Sequence, residues 1–286
     1  MNQTTYQTDF LLNDRNIKLF HQAWVASNPL ASVVIIHGVG EHSGRYEEFA
    51  RFLNEKQISV YSFDLPGYGK SGGKRGHVKS FSDFTDDVKI NIDFIKEKIG
   101  DKEKIFLLGH SLGALITIRY VRIFNDVSFS GLILSGPPFQ LNLSATSWWR
   151  RIGVFFSSIL PAITIKEESI QLNMLTHDAE KLAAFRKDPL RHYRRSLQFI
   201  QAYFKGEKKA FADGPFLALP VLIVQGGADD VIDVKKVKTF YHQLNIEDKM
   251  FIVYPEMYHE VLNEIERARV YDDIVNWIMR RCKKKQ

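Results

Sequence analysis

Ser111 stands in the run Gly109-His110-Ser111-Leu112-Gly113, a G-x-S-x-G spacing. The apolar run Ile105-Phe106-Leu107-Leu108 leads into it, and a helix-compatible run from Leu112 to Tyr120 and Val121 leads out. That context predicts a strand, a sharp turn and a helix, with a hydroxyl standing proud of the sheet over the positive end of the helix. A Cβ at either flanking glycine would crowd the neighbouring strand or helix. A serine hydroxyl is a poor nucleophile at neutral pH, so it needs a base within hydrogen-bond reach and a carboxylate to orient that base. The chain holds nine histidines. His110 lies within the bend, where its side chain should point away from Ser111. His242 falls in a helix, and His177 and His192 fall in a long segment without strand patterning. His259 follows a strand in the short loop Pro255-Glu256-Met257-Tyr258-His259, at the carboxyl edge where chemistry gathers in open α/β sheets. The carboxylate should follow the preceding strand, where Gln225-Gly226-Gly227-Ala228-Asp229-Asp230 offers Asp229 and Asp230, with Asp233 close behind. Asp233 is expected to cap the helix that starts near Val234, which leaves Asp229 to orient His259. Attack on an acyl carbonyl also needs amide donors for the oxyanion, each typically worth ~3–4 kcal/mol. The N–H of Leu112 and that of Val39, in His37-Gly38-Val39-Gly40, are the expected pair.

These groups need a frame. Residues 8–25 read as two strands joined near Asn13-Asp14-Arg15-Asn16. The continuous apolar run Ser32-Val33-Val34-Ile35-Ile36 reads as a strand buried on both faces. A helix with Tyr46, Phe49, Ala50 and Leu53 on one side follows, then a strand over residues 58–63. Ser80 is expected to cap a long helix, with Asp83 in box position and Gly100 at its end. Further strands are expected at 129–134, 219–224 and 251–254. A last helix is expected from Asn263, with Glu266 in box position and Tyr271, Ile274, Val275 and Ile278 buried. Strands alternating with helices predict an α/β fold around a mostly parallel sheet. The rhythm breaks at Gly136-Pro137-Pro138, so residues 1–136 and 215–286 form the core and residues 137–214 a helical insertion above the strand ends.

Composition narrows the function. The 286 residues carry 39 basic and 33 acidic side chains, a formal charge of +6, with twelve basic and seven acidic residues between 137 and 214. No nucleic-acid motif accompanies the charge, so no nucleic-acid partner is expected. One cysteine, Cys282, excludes an internal disulfide and a multi-cysteine zinc site. The segment Met1-Asn2-Gln3-Thr4-Thr5-Tyr6-Gln7 lacks the basic and apolar regions of a signal peptide, and no apolar run approaches ~20 residues, so a cytoplasmic location is expected. Gly67-Tyr68-Gly69-Lys70-Ser71-Gly72 matches G-x-G-x-x-G, but Gly73-Lys74-Arg75-Gly76 follows where a dinucleotide fingerprint would open a helix, so it is read as a turn.

His37-Gly38-Val39-Gly40-Glu41-His42-Ser43-Gly44-Arg45-Tyr46, Phe63-Asp64-Leu65-Pro66-Gly67-Tyr68-Gly69-Lys70-Ser71, the 109–113 bend, Gln225-Gly226-Gly227-Ala228-Asp229 and Tyr258-His259 together resemble the monoacylglycerol lipase and lysophospholipase group of α/β-hydrolases, over most of the chain. The resemblance implies an α/β-hydrolase fold with residues 137–214 as a helical lid. It implies a cofactor-free and metal-free serine hydrolase acting on a lipid ester, with Ser111 as nucleophile, Asp229 as acid, His259 as base, and Val39 and Leu112 at the oxyanion positions. Ser111, Asp229 and His259 also follow the chain order of that arrangement. Trp148 and Trp149 beside Arg150 and Arg151, with Phe155 and Phe156 after them, suit an acyl tunnel, peripheral contact with a membrane surface, or packing of the lid on the core. Glu41 and Arg45 suit a polar head group or a pair across one helix turn. Cleavage of small esters or aminoacyl amides on the same fold, and ligand binding without turnover, are the alternatives; nothing in the sequence assigns an oligomeric state.

Overall fold

A computed structural model describes residues 5–100, 103–142, 162–166 and 172–283. The strands β1 (Thr5–Leu12), β2 (Lys18–Val25), β3 (Ala31–Ile36), β4 (Ile58–Phe63), β5 (Lys104–His110), β6 (Gly131–Ser135), β9 (Val221–Gly226) and β10 (Lys249–Tyr254) form one sheet in the order β1-β2-β4-β3-β5-β6-β9-β10. β2 runs against both neighbours, and every pair from β4 to β10 is parallel. The continuous apolar runs are central strands: every residue of β3, β4, β6 and β9 is buried. Their few serines are satisfied locally, Ser62 Oγ donating to the Ile35 carbonyl at 2.9 Å and Ser59 Oγ accepting the Ala26 N–H at 3.1 Å.

Helices cover both faces. On one side lie α2 (Phe81–Ile99), α3 (Leu112–Phe124), α5 (Leu197–Asp213) and α6 (Val234–Gln243), which share a core through Phe84, Val88, Leu115, Phe199, Val237 and Phe240. On the other lie α1 (Glu47–Glu55) and α7 (Arg267–Cys282), joined through Phe49, Leu53, Tyr271, Ile274 and Trp277. Trp277 needs the missing side chain at Gly131, where a Cβ would come within 2.4 Å of the indole. The register brings Ile36 level with Phe63 and Gly109, His110 with Ser135, Ser135 with Val224, and Gly226 with Tyr254. The carboxyl ends of these strands therefore share one rim, and the loops that leave it can meet.

The chain departs after β6 and returns at β9, its direct neighbour, with residues 137–214 between them. This segment holds α4 (Ala179–Lys187) and α5, but also a two-stranded antiparallel ribbon, β7 (Thr164–Lys166) with β8 (Arg194–Ser196), which helical patterning alone does not predict. α5 packs into the main core: Phe199, Ile200, Ala202, Tyr203 and Ala210 are buried, and a Cβ at Gly206 would lie 2.0 Å from the Phe81 ring. Two helix starts differ from expectation. Ser80 occupies the cap position of α2, but its hydroxyl donates to Asp83 Oδ1 at 2.9 Å instead of accepting a backbone N–H. The last helix begins at Arg267, because residues 261–263 form a separate 3₁₀ turn and Glu264 turns back to accept the Tyr258 N–H at 2.9 Å.

Candidate active site

Ser111 sits between β5 and α3 at φ 50°, ψ −119°. A left-handed φ on a residue with a side chain costs ~1–3 kcal/mol and persists only where the surroundings enforce it. The enforcement is steric: a Cβ at Gly109 would lie 2.3 Å from the Gly113 carbonyl oxygen, and one at Gly113 would lie 2.1 Å from that of Ile36. The Ser111 N–H donates to the Ser135 carbonyl at 2.9 Å, and the Ser111 carbonyl accepts from Ala114 N at 2.9 Å. The sharp bend read from the sequence is thus built by backbone packed on backbone.

His259 and Asp229 meet across the rim, with His259 Nδ1 donating to Asp229 Oδ2 at 2.8 Å. The Asp229 carboxylate is buried and saturated: Oδ1 accepts the N–H groups of Val231 and Ile232 at 2.8 and 3.2 Å, and Oδ2 also accepts Gln225 Nε2 at 2.9 Å. Burial opposes ionisation of Asp229, but the His259 charge, the Gln225 amide and the Val231 N–H outweigh it and hold the carboxyl below its ordinary value. For His259, burial works against the charged ring, and Asp229 foremost, then Glu260 and Glu41, push its pKa above the ordinary imidazole value. Asp233 caps α6 through the Lys235 N–H at 2.9 Å, and Asp230 is exposed. The glycines of 225–229 have a packing reason, since a Cβ at Gly226 would lie 2.0 Å from the Tyr258 carbonyl. Gly136 leaves room for His259, where a Cβ would come within 3.1 Å of the ring.

The 37–41 loop completes the rim. A Cβ at Gly38 would lie 3.2 Å from Ser111 Cβ, so this backbone passes directly beside the serine. The loop is pinned from inside. Leu65 N donates to His37 Nε2 at 3.0 Å, leaving His37 Nδ1 to donate to the Gly38 carbonyl at 2.7 Å. Gly38 N donates to Glu41 Oε1 at 2.5 Å. Asp64 takes the Ser43 N–H at 2.8 Å and the Lys70 N–H at 2.7 Å, and a Cβ at Gly69 would strike its carboxylate. The 67–72 run is therefore a turn that grips Asp64. Among the described residues, the Val39 and Leu112 N–H groups and the Ser111 hydroxyl donate to no protein group. Ser111, Val39, His110 and His259 line one cavity, whose outer wall comes from residues 172–195, including Leu175, Phe185, Arg191 and Tyr193.

Two groups had no role in the sequence reading. His110 stands beside His259, ring centroids 5.2 Å apart, with burial holding its pKa below the ordinary value. Glu260 is buried and joined to Arg45, which also pairs with Glu41, in the loop just before the short 3₁₀ helix of residues 43–46, at 2.7 Å. No spacing rule links Glu260 to Arg45; a carboxylate next to His259 was the only available hint. Trp148, Trp149, Phe155 and Phe156 lie outside the described residues.

A serine at a strained strand–helix bend, with a buried His–Asp pair on later strand ends of one mostly parallel sheet, defines the α/β-hydrolase fold. The family model described as serine aminopeptidase, S33, matches residues 27–266, and the chain belongs to that family. The chain is 29% identical over 265 residues to a monoacylglycerol lipase of Mycolicibacterium smegmatis, covering 92% of this chain and 93% of the relative. It is 30% identical over 249 residues to phospholipase YtpA of Bacillus subtilis, covering 87% and 95%. Among solved structures, a Paleococcus ferrophilus monoacylglycerol lipase superposes with a TM-score of 0.79 at 29% identity, over 98% of this chain and 99% of that one.

Proposed function

We propose that this chain is a serine hydrolase that cleaves the single acyl ester of a monoacylglycerol or lysophospholipid, with Ser111 as nucleophile, His259 as base and Asp229 as the orienting acid. The observation that carries the reading is the buried 2.8 Å bond from His259 Nδ1 to Asp229 Oδ2. With the Nδ1 proton held there, Nε2 keeps its lone pair and accepts the Ser111 proton as Oγ attacks the carbonyl carbon. The oxyanion gathers charge against the free N–H groups of Val39 and Leu112. Collapse breaks the ester bond, and His259 returns the proton to the glycerol oxygen. Water then repeats the cycle on the acyl-Ser111 ester and releases the fatty acid. Among the described residues no hydrogen bond joins Ser111 Oγ to His259; the two side chains line the same cavity, and such a contact commonly tightens only in the substrate complex.

The names of the relatives support an ester of glycerol carrying a lipid chain. The family description admits an aminopeptidase. That chemistry needs a free buried carboxylate to anchor a substrate ammonium, and the acids at the cavity, Glu41 and Glu260, are both engaged by Arg45. Residues 137–214 serve as the lid, anchored by α5, with peripheral membrane contact through Trp148, Trp149 and the apolar residues after them, in a cytoplasmic setting that suits the free Cys282. No helix among the described residues is long and apolar enough to cross a membrane. The test is a panel of acyl glycerols, lysophospholipids, short nitrophenyl esters and an aminoacyl amide, with released acid or amine quantified. Faster turnover of the amide than of any lipid ester refutes the substrate class. Labelling of Ser111→Ala by a fluorophosphonate probe refutes the nucleophile.

A further inference from the structure

Arg45 is a guanidinium, its side chain 11% exposed, held between two buried carboxylates. Its NH1 donates to Glu41 Oε2 at 2.7 Å and Glu260 Oε1 at 2.9 Å, and its NH2 donates to Glu260 Oε2 at 2.6 Å. Each carboxylate has further partners. Glu41 Oε1 accepts Gly38 N at 2.5 Å and Tyr46 OH at 2.9 Å, and Glu260 Oε2 accepts Asn263 Nδ2 at 2.9 Å. The guanidinium also lies on the Phe185 ring, 4.0 Å from its centroid. Two of these residues sit in the catalytic loops: Glu260 follows His259 directly, and Glu41 holds the amide of Gly38, whose backbone passes beside Ser111.

Stability does not explain the arrangement. A buried ion triad is commonly no more stabilising than well-packed apolar residues of equal volume, because three charges must be stripped of water. What such a triad supplies is direction. A planar fork engaged on both carboxylates leaves each loop one orientation, which a lysine's point charge would not impose.

We propose that Glu260 is a positioning residue: through Arg45 and Glu41 it fixes the loop carrying His259 to the loop carrying the Gly38 and Val39 amides, so that base and oxyanion donors keep one mutual register. This rests on the assignment of Ser111 and His259 made above. Base and amides act on the same tetrahedral centre, and a displacement of ~1 Å between them lowers turnover by about 100-fold.

The experiment compares Glu41→Gln, Glu260→Gln, their double variant, Arg45→Lys, and the charge-free triple Glu41→Gln with Arg45→Met and Glu260→Gln. The readouts are kcat and KM on a short nitrophenyl ester, the fluorophosphonate labelling rate, and the melting temperature. Each single variant should lose about 10- to 100-fold in kcat and in labelling rate with KM within about 2-fold. The double variant should fall within about 3-fold of the slower single, since both break one device. The triple should melt near the wild type and remain slow. Wild-type kcat in the singles or the triple, whatever their melting temperature, overturns the proposal, as do effects that multiply in the double. If the glutamine variants fail to fold, Arg45→Lys decides by the same kcat and KM split. Ser111→Ala is the control: labelling that survives there sinks the site assignment, whereas labelling that depends on Ser111 but ignores Glu260 sinks this proposal alone.

Discussion

Replacing Asp229 by asparagine should invert the chemistry of His259 without moving it. Oδ1 receives the N–H groups of Val231 and Ile232, so the asparagine oxygen must take that place. Its NH2 then faces His259 Nδ1, and the Gln225 amide can turn to offer Oε1, which has no partner among the described residues. Nδ1 must accept, the ring proton moves to Nε2, and the nitrogen proposed to take the Ser111 proton is no longer a base. The charge term points the same way. A carboxylate against the ring favours its protonated form, so removing that charge lowers the affinity of His259 for its second proton. Asp229 is the main influence raising His259 against burial, so its loss moves the ring's pKa down from the native position. The native His259 pKa is raised, so the acid limb of kcat/KM should have its midpoint above pH ~6.5, with activity present above it and lost below. In Asp229→Asn the limb should move to lower pH than in the wild type, and kcat should fall by about 10⁴-fold, the loss typical of a wrong tautomer in such triads. The assay is a pH–rate profile on a soluble nitrophenyl ester, with the melting temperature as the control for folding. A folded variant within ~10-fold of the wild type, with its acid limb unmoved, would refute the assignment of both residues.

Gly38→Ala places a Cβ 2.8 Å from Glu41 Oε1 and 3.2 Å from Ser111 Cβ, so kcat should fall by about 10- to 100-fold in a protein that still folds, as read by nitrophenyl ester kinetics. Ser111→Gly should abolish turnover yet stabilise the chain by about 1 kcal/mol in denaturant unfolding, because it releases a strained φ of 50° at the smaller entropic cost of glycine; an unchanged or lower midpoint counts against strain at the bend. Trp277→Ala should cost about 3–5 kcal/mol, because the indole fills the space over Gly131 and packs on Phe106; a loss under ~1 kcal/mol would mean the site collapses freely.

What the sequence discloses here depends on the range of the forces involved. The central strands are legible because burial on both faces demands unbroken apolar runs, and such runs close at His37, His110, Ser135 and Gly226. The Ser111, Asp229 and His259 positions are legible because a parallel sheet puts every strand's carboxyl end on the same side, so loop membership stands in for distance. Features settled by side chains from distant loops leave no such trace. The ribbon of Thr164–Lys166 and Arg194–Ser196 is too short and polar for a strand pattern. The last helix starts late because Glu264 spends its carboxylate on the N–H groups of Tyr258 and His177 rather than on a cap, a choice made by the insertion folding over that loop. The same insertion supplies Leu175, whose carbonyl accepts the Glu260 N–H at 2.8 Å, and Phe185, which lies on Arg45. Residues that the sequence reading assigns to a helical lid are thus part of the support of His259. Deletion of the whole insertion removes these contacts and should therefore abolish fluorophosphonate labelling of Ser111 rather than speed it.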